Sequence, residues 1–217
     1  MTEYTHITVI LDRTGSMEAI RDDTIGGFNT FLQQQKEETG KATLTLVQFD
    51  AQDPYEVIHK FKPIADVPAL DRRTYVPRAA TPLLDAMGRG INDLEKSLAD
   101  MKKGESPKRI VLVIITDGKE NSSREFKKSQ IEKMVRQKTE EGWQFVFLSA
   151  DLDAVQDALA TGVHASSLMS FDKTSQGTSA VWVSTSERIK DFRSGKKKDV
   201  SFTDEDRKKQ KSEKKRK

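Results

Sequence analysis

The chain has 217 residues, 37 Lys and Arg against 34 Asp and Glu for a formal net charge of +3, and no cysteine. That length can bury one sizeable core, and the lack of cysteine excludes a disulfide framework, a thiolate metal site and a cysteine nucleophile. No apolar run approaches the roughly 20 residues a membrane-crossing helix needs, and Met1-Thr2-Glu3-Tyr4-Thr5-His6 lacks the basic start and apolar stretch of a signal peptide, so a cytoplasmic protein without membrane association is expected.

In chain order, residues 6–11 read as a buried strand that ends in Asp12-Arg13-Thr14-Gly15-Ser16. A first helix follows over about 17–35, with Ile20, Phe28, Phe31 and Leu32 toward the sheet. The pair Gly26-Gly27 inside it either permits close packing or marks a kink. Residues 42–49 alternate apolar and polar as a second strand, and about 55–61 form a third after the turn residues 50–54. So short a link favours an antiparallel hairpin at the sheet edge. Ala80-Thr81-Pro82-Leu83 then opens a helix with Thr81 as the N-cap and proline at the first helical position. Its apolar stripe runs through Leu84, Met87, Ile91, Leu94, Leu98 and Met101.

The unbroken apolar run over 110–115 reads as a central parallel strand covered on both faces. It ends in Thr116-Asp117-Gly118. A helix to about residue 141, a strand over 144–149, a short helix from near Asp151 or Asp153, a strand around 167–171 and a helix over 175–192 complete the alternation. The expected fold class is α/β: a doubly wound, mostly parallel central sheet with one antiparallel edge strand and helices on both faces.

Three oxygen-bearing segments, around Asp12, Thr81 and Asp117, therefore reach the carboxyl rim of one sheet, where open parallel sheets bind their ligands. At that rim the carboxylates and hydroxyls suit a hard cation such as Mg²⁺. Taken singly, Asp12-Arg13-Thr14-Gly15-Ser16 is also what a turn and a helix N-cap require. Together the segments resemble the von Willebrand factor type A domain family over about residues 5–171. That family's metal-ion-dependent adhesion site uses D-x-S-x-S after the first strand, a threonine from a second loop and an aspartate after the fourth strand. The resemblance implies a metal site at Asp12, Thr14, Ser16, Thr81 and Asp117, with Thr14 where the family usually has serine. It implies Mg²⁺ or Mn²⁺ as cofactor and a protein partner whose acidic residue fills the open coordination position. Neighbouring Arg13, Met17, Glu120 and Asn121 would then shape partner choice at the rim.

Charge is unevenly placed. From Ser194 onward lie eleven of the 37 Lys and Arg but five of the 34 Asp and Glu, leaving 26 against 29 in the preceding 193 residues. The expected division is a domain over 1–193 and a basic, disordered tail over 194–217, because the end of the chain has almost no apolar side chain to bury. Val200 and Phe202 are the exceptions that could tuck back, and Thr203 with Asp206 reads as a capping-box variant. The C-terminal end resembles those of small bacterial and phage members of the family. Nucleic-acid attachment through 207–217 is the alternative function, beside a purely solubilising role. An enzyme is not expected: His6, His59 and His164 fall on separate strands or loops, no H-E-x-x-H or phosphate-loop motif occurs, and Ser16 is not in G-x-S-x-G.

Overall fold

The computed structural model describes residues 3–211. Its strands are β1 (Thr5–Asp12), β2 (Ala42–Phe49), β3 (Glu56–Pro63), β4 (Arg109–Thr116), β5 (Gln144–Ser149) and β6 (Leu168–Ser170). They form one sheet in the order β3-β2-β1-β4-β5-β6. β3 is antiparallel to β2 and every other pairing is parallel. The helices are α1 (Arg21–Glu37), α2 (Leu83–Ala99), α3 (Lys128–Glu140), α4 (Leu152–Ala160), α5 (Ser175–Arg193) and α6 (Asp204–Lys211). The expected α/β, doubly wound class with one antiparallel edge strand is the observed one.

The pleat sends successive side chains to opposite faces and so divides the core in two. Ile7, Val9 and Leu11 of β1 with Val111, Val113 and Ile115 of β4 pack on Phe28 and Phe31 of α1 and Trp182 of α5. Ile10, Leu112 and Ile114 pack on the other side against Met87, Ile91 and Leu94 of α2 and Ile131 and Val135 of α3. Gly27 explains how α1 and α5 meet so closely: a Cβ there would lie 2.1 Å from Trp182 Cδ1. The glycine pair is therefore a packing device at Gly27, whereas a Cβ on Gly26 would meet nothing within 4 Å. No helix among the described residues is long and apolar enough to cross a membrane.

Several expectations change. The helix expected to start at Met17 begins instead as a 3-10 turn, Gly15–Ile20, and becomes α-helical only at Arg21. Backbone hydrogen bonds to the loop before α2 hold this segment: Gly15 N–H donates to Ala79 O at 3.0 Å and Arg78 N–H to Arg13 O at 2.8 Å. β2 is buried at every residue despite its alternating sequence. Lying between β1 and β3, it finds partners for its polar side chains in β1 and in the loop before α2, with Thr43 Oγ1 2.8 Å from His6 Nδ1 and Gln48 donating to Thr74 O at 3.0 Å.

Part of the chain after residue 193 packs against the sheet. Val200 and Phe202 are buried. Ser167 Oγ donates to Val200 O at 2.7 Å and Phe202 N–H to Ser166 O at 2.8 Å, which ties this segment to the chain entering the short edge strand β6. Thr203 and Asp206 form the reciprocal cap of α6, and Arg207 donates to Leu168 O at 2.9 Å. Two buried apolar side chains and this cap order the segment that net charge alone marked as tail. Residues 212–217 of the expected basic tail lie outside the described residues.

Candidate metal centre

β1 and β4 are adjacent and in register up to Leu11 and Ile115, so the residues that follow, Asp12 and Thr116, emerge side by side at the carboxyl edge. Thr116 Oγ1 donates to Asp12 Oδ2 at 2.5 Å, and Thr14 N–H donates to Asp12 Oδ1 at 2.6 Å. Both oxygens of Asp12 are thus oriented by the fold. Tyr75, wholly buried in the long loop between β3 and α2, donates its hydroxyl to Asp12 O at 2.6 Å. Burial, and then the charges of Asp12 and Asp117, push the Tyr75 hydroxyl well above its ordinary range, which keeps it a donor.

The remaining candidates meet at the same point. Thr14 Oγ1 lies 3.3 Å from Ser16 Oγ, and Ser16 Oγ donates to Asp117 Oδ1 at 2.5 Å. A Cβ on Gly118 would sit 3.6 Å from Ser16 Oγ and 3.9 Å from Thr81 Oγ1, so both hydroxyls border that glycine. Asp12, Thr14, Thr81 and Asp117 are buried, while Ser16 is exposed at the mouth. The structure therefore gathers all five residues into one cluster.

Thr81 is not the helix cap that its sequence suggested. α2 starts at Leu83 without a side-chain cap of its own. Its free N–H groups are satisfied from the loop after β4: Leu84 N–H donates to Glu120 Oε2 at 2.9 Å and Asp85 N–H to Ser123 Oγ at 3.0 Å. The same loop holds Thr81 by its backbone, since Thr81 N–H donates to Asn121 Oδ1 at 2.8 Å and Asn121 N–H to Thr81 O at 3.1 Å. The threonine hydroxyl is thereby left for the cluster.

Arg13 and Met17 are buried, so neither presents a side chain to a partner at the rim as expected. Arg13 instead braces the loops: its Nε donates to Asp50 Oδ2 at 2.6 Å, its Nη1 donates to Glu56, and Arg78 Nε donates to the same Asp50 oxygen at 3.0 Å. Burial pushes the Asp50 carboxyl up, but the hydrogen bonds from Arg13 and Arg78 outweigh it and hold the group below its ordinary range. Glu120 is likewise committed inward, accepting from Leu84, Ser122 and Ser123, and Asn121 is the exposed member of that set.

Electrostatically the cluster is short of positive charge. Burial pushes Asp12 up to about 6, partly opposed by its hydrogen bonds to Thr116 and Thr14. Asp117 Oδ2 is buried and receives no hydrogen bond of normal geometry, although the ammonium of Lys173 lies 2.9 Å away. At that distance the contact is an ion pair without an aligned donor. Among the described residues no group of three or more His, Cys, Asp or Glu forms a metal cage. A cation here would depend on two carboxylates and three hydroxyls, a hard-oxygen set suited to Mg²⁺ or Mn²⁺. Tyr75, Thr116 and Lys173 escaped the sequence reading, because a single tyrosine, threonine or lysine carries no spacing signal.

No family model matches the sequence, and no curated protein matches it significantly. Solved structures do. Proximal thread matrix protein 1 from the mussel byssus, with a zinc-occupied MIDAS motif, aligns at a TM-score of 0.61 and 16% identity over 87% of this chain and 46% of that one. The SpRpn10 VWA domain aligns at 0.56 and 13% identity over 85% of this chain and 95% of that one. Manganese-loaded Plasmodium vivax TRAP protein aligns at 0.53 and 13% identity over 79% and 69%. This chain spans less than half the length of the mussel protein. Its strand order, its antiparallel edge and these alignments give one conclusion: the chain has the von Willebrand factor type A fold.

Proposed function

We propose that this domain is a metal-dependent protein-interaction module, in which Asp12, Thr14, Ser16, Thr81 and Asp117 hold one Mg²⁺ or Mn²⁺ and an acidic side chain of a partner protein completes the ion's coordination. The observation that carries this reading is the meeting of two buried carboxylates and three hydroxyls at one solvent-reached point on the carboxyl edge of the sheet. The zinc-occupied and manganese-loaded structures of the same fold support a divalent ion. When bound, such an ion supplies a positive centre with affinity for a further anionic oxygen. The chain's own residues do the positioning: Thr116 and the Thr14 N–H fix Asp12, Asn121 fixes Thr81, and exposed Ser16 marks the approach. The reading includes no catalytic step. Nucleic-acid attachment through 207–217 has less support, because the Arg207 guanidinium donates to the carbonyls of Leu168 and Ala165 and is not free for phosphate.

Calorimetry with Mg²⁺ and Mn²⁺ should give one site in the wild type. Asp12→Ala should lose it with the far-ultraviolet dichroism unchanged, and Asp117→Asn should weaken it at least tenfold. Capture of a partner should depend on the metal and fail in chelator, and Thr81→Ala should reduce it. Absence of binding at millimolar metal, or binding unchanged in Asp12→Ala and Asp117→Asn, would overturn the proposal.

A further inference from the structure

The cation nearest the cluster belongs to the chain itself. Lys173 lies in the short link between β6 and α5, and its Nζ sits 2.9 Å from Asp117 Oδ2. The backbone around it is fixed: Phe171 is buried and its N–H donates to Ser149 O at 3.0 Å, and Thr174 caps α5 by accepting from Gly177 N–H at 3.0 Å. A Cβ on Gly177 would lie 2.4 Å from Asp172 O, so the turn is closed tightly on itself. The side chain is otherwise free to move, being 42% exposed against 0% for Asp117. Lys119, on the loop after β4, is paired with Asp153.

We propose that Lys173 is a tethered competitor of the divalent cation, holding the Asp117 carboxylate in the metal-free chain and swinging out to solvent when the ion enters. The inference rests on the metal reading above. An ion held at about 2.1 Å on Asp117 Oδ1, the oxygen that faces Ser16, would lie no more than about 7 Å from an ammonium that stayed on Oδ2 of the same carboxylate. Two positive charges that close repel strongly in a partly buried site. The lysine pair neutralises a buried carboxylate whose oxygen has no other donor, so it stabilises the empty site at the expense of the loaded one. Metal affinity is therefore set by five ligands together with one residue that opposes them.

The test is Mn²⁺ titration by calorimetry of the full chain as wild type, Lys173→Met and Lys173→Arg, with thermal melting of each in chelator and in saturating Mn²⁺. Lys173→Met should bind Mn²⁺ about tenfold more tightly than wild type, melt lower in chelator, and show the larger rise in melting temperature on loading. Lys173→Arg, which keeps the charge, should stay near wild type. Equal or weaker binding by Lys173→Met, with wild type binding, overturns the competitor role and leaves the metal reading standing. Binding by neither overturns both. Should Lys173→Met fail to fold, Lys173→Gln carries the same expectation.

Discussion

At the scale of single residues, the interior of β1 and β2 sets an acid response separate from the candidate metal centre. His6 is wholly buried, stacked on Phe61 at 3.8 Å between ring centroids, with Thr43 and Thr8 hydroxyls on its two ring nitrogens. Burial pushes it down to about 3. The unfolded chain takes up that proton near 6.5, so stability present above that value is lost progressively as pH falls toward 3. Asp12, raised to about 6, acts in the opposite sense, because the folded state then holds a proton the unfolded state does not. The two effects overlap between about pH 4 and 6, and comparison with a variant separates them. We expect the stability difference between wild type and His6→Gln, measured by urea unfolding in chelator, to move in favour of the variant by up to about 1.4 kcal/mol per pH unit as pH falls from 6 to 4. A difference that stays flat over that range would show that His6 is not the group responsible.

At the scale of elements, the contact of α1 with α5 turns on one missing methyl group. Alanine favours a helix interior over glycine by about 1 kcal/mol, and at exposed Gly26, where a Cβ meets nothing, Gly26→Ala should stabilise by up to that amount. At Gly27 the same Cβ would fall 2.1 Å from the Trp182 ring, which is itself packed at 5.9 Å from Phe28 and 5.5 Å from Phe31. Those rings have no room to retreat, so Gly27→Ala should destabilise by about 1–3 kcal/mol as an overpacked core. Opposite signs at adjacent positions, read as shifts in denaturation midpoint, are the expected result. A stabilising Gly27→Ala would mean that α5 can move away from α1.

At the scale of the whole molecule, the segment after α5 packs against the body of the fold. Val200 and Phe202 are buried, and the chain that carries them lies along the approach to β6, three residues long and at the sheet edge. An uncovered edge strand offers unpaired backbone groups to other chains. Ending the chain after residue 193 should therefore cost roughly 3 kcal/mol or more from the two lost apolar side chains and increase aggregation on heating. Ending it after residue 211 should do neither. Equal melting temperatures for the full chain and the 1–193 form would show that the segment contributes nothing to stability.

The five candidate ligands were implied by the family resemblance, whereas the order of elements and the sheet class were legible in the sequence, because period-two and helical apolar patterns are local properties. β2 and β5 were bounded to the residue for that reason. What joined Asp12, Thr81 and Asp117 was the parallel pairing of β1 with β4 and the loop from Gly118 to Lys127, which reaches across to α2. Contacts of that kind are set by packing between distant segments. Thr81 was read as a helix cap because local chemistry favours that role, and tertiary contacts from Glu120, Ser123 and Asn121 gave the capping to another loop. Arg13 had no local sign of burial, since only the fold brings Asp50 and Glu56 to it. The sequence by itself thus determined which chemical groups stand at the strand ends, through local pattern. The tertiary structure alone decided which of them meet, which turn inward, and that Lys173 stands against Asp117, since each depends on segments brought together only when the core closes.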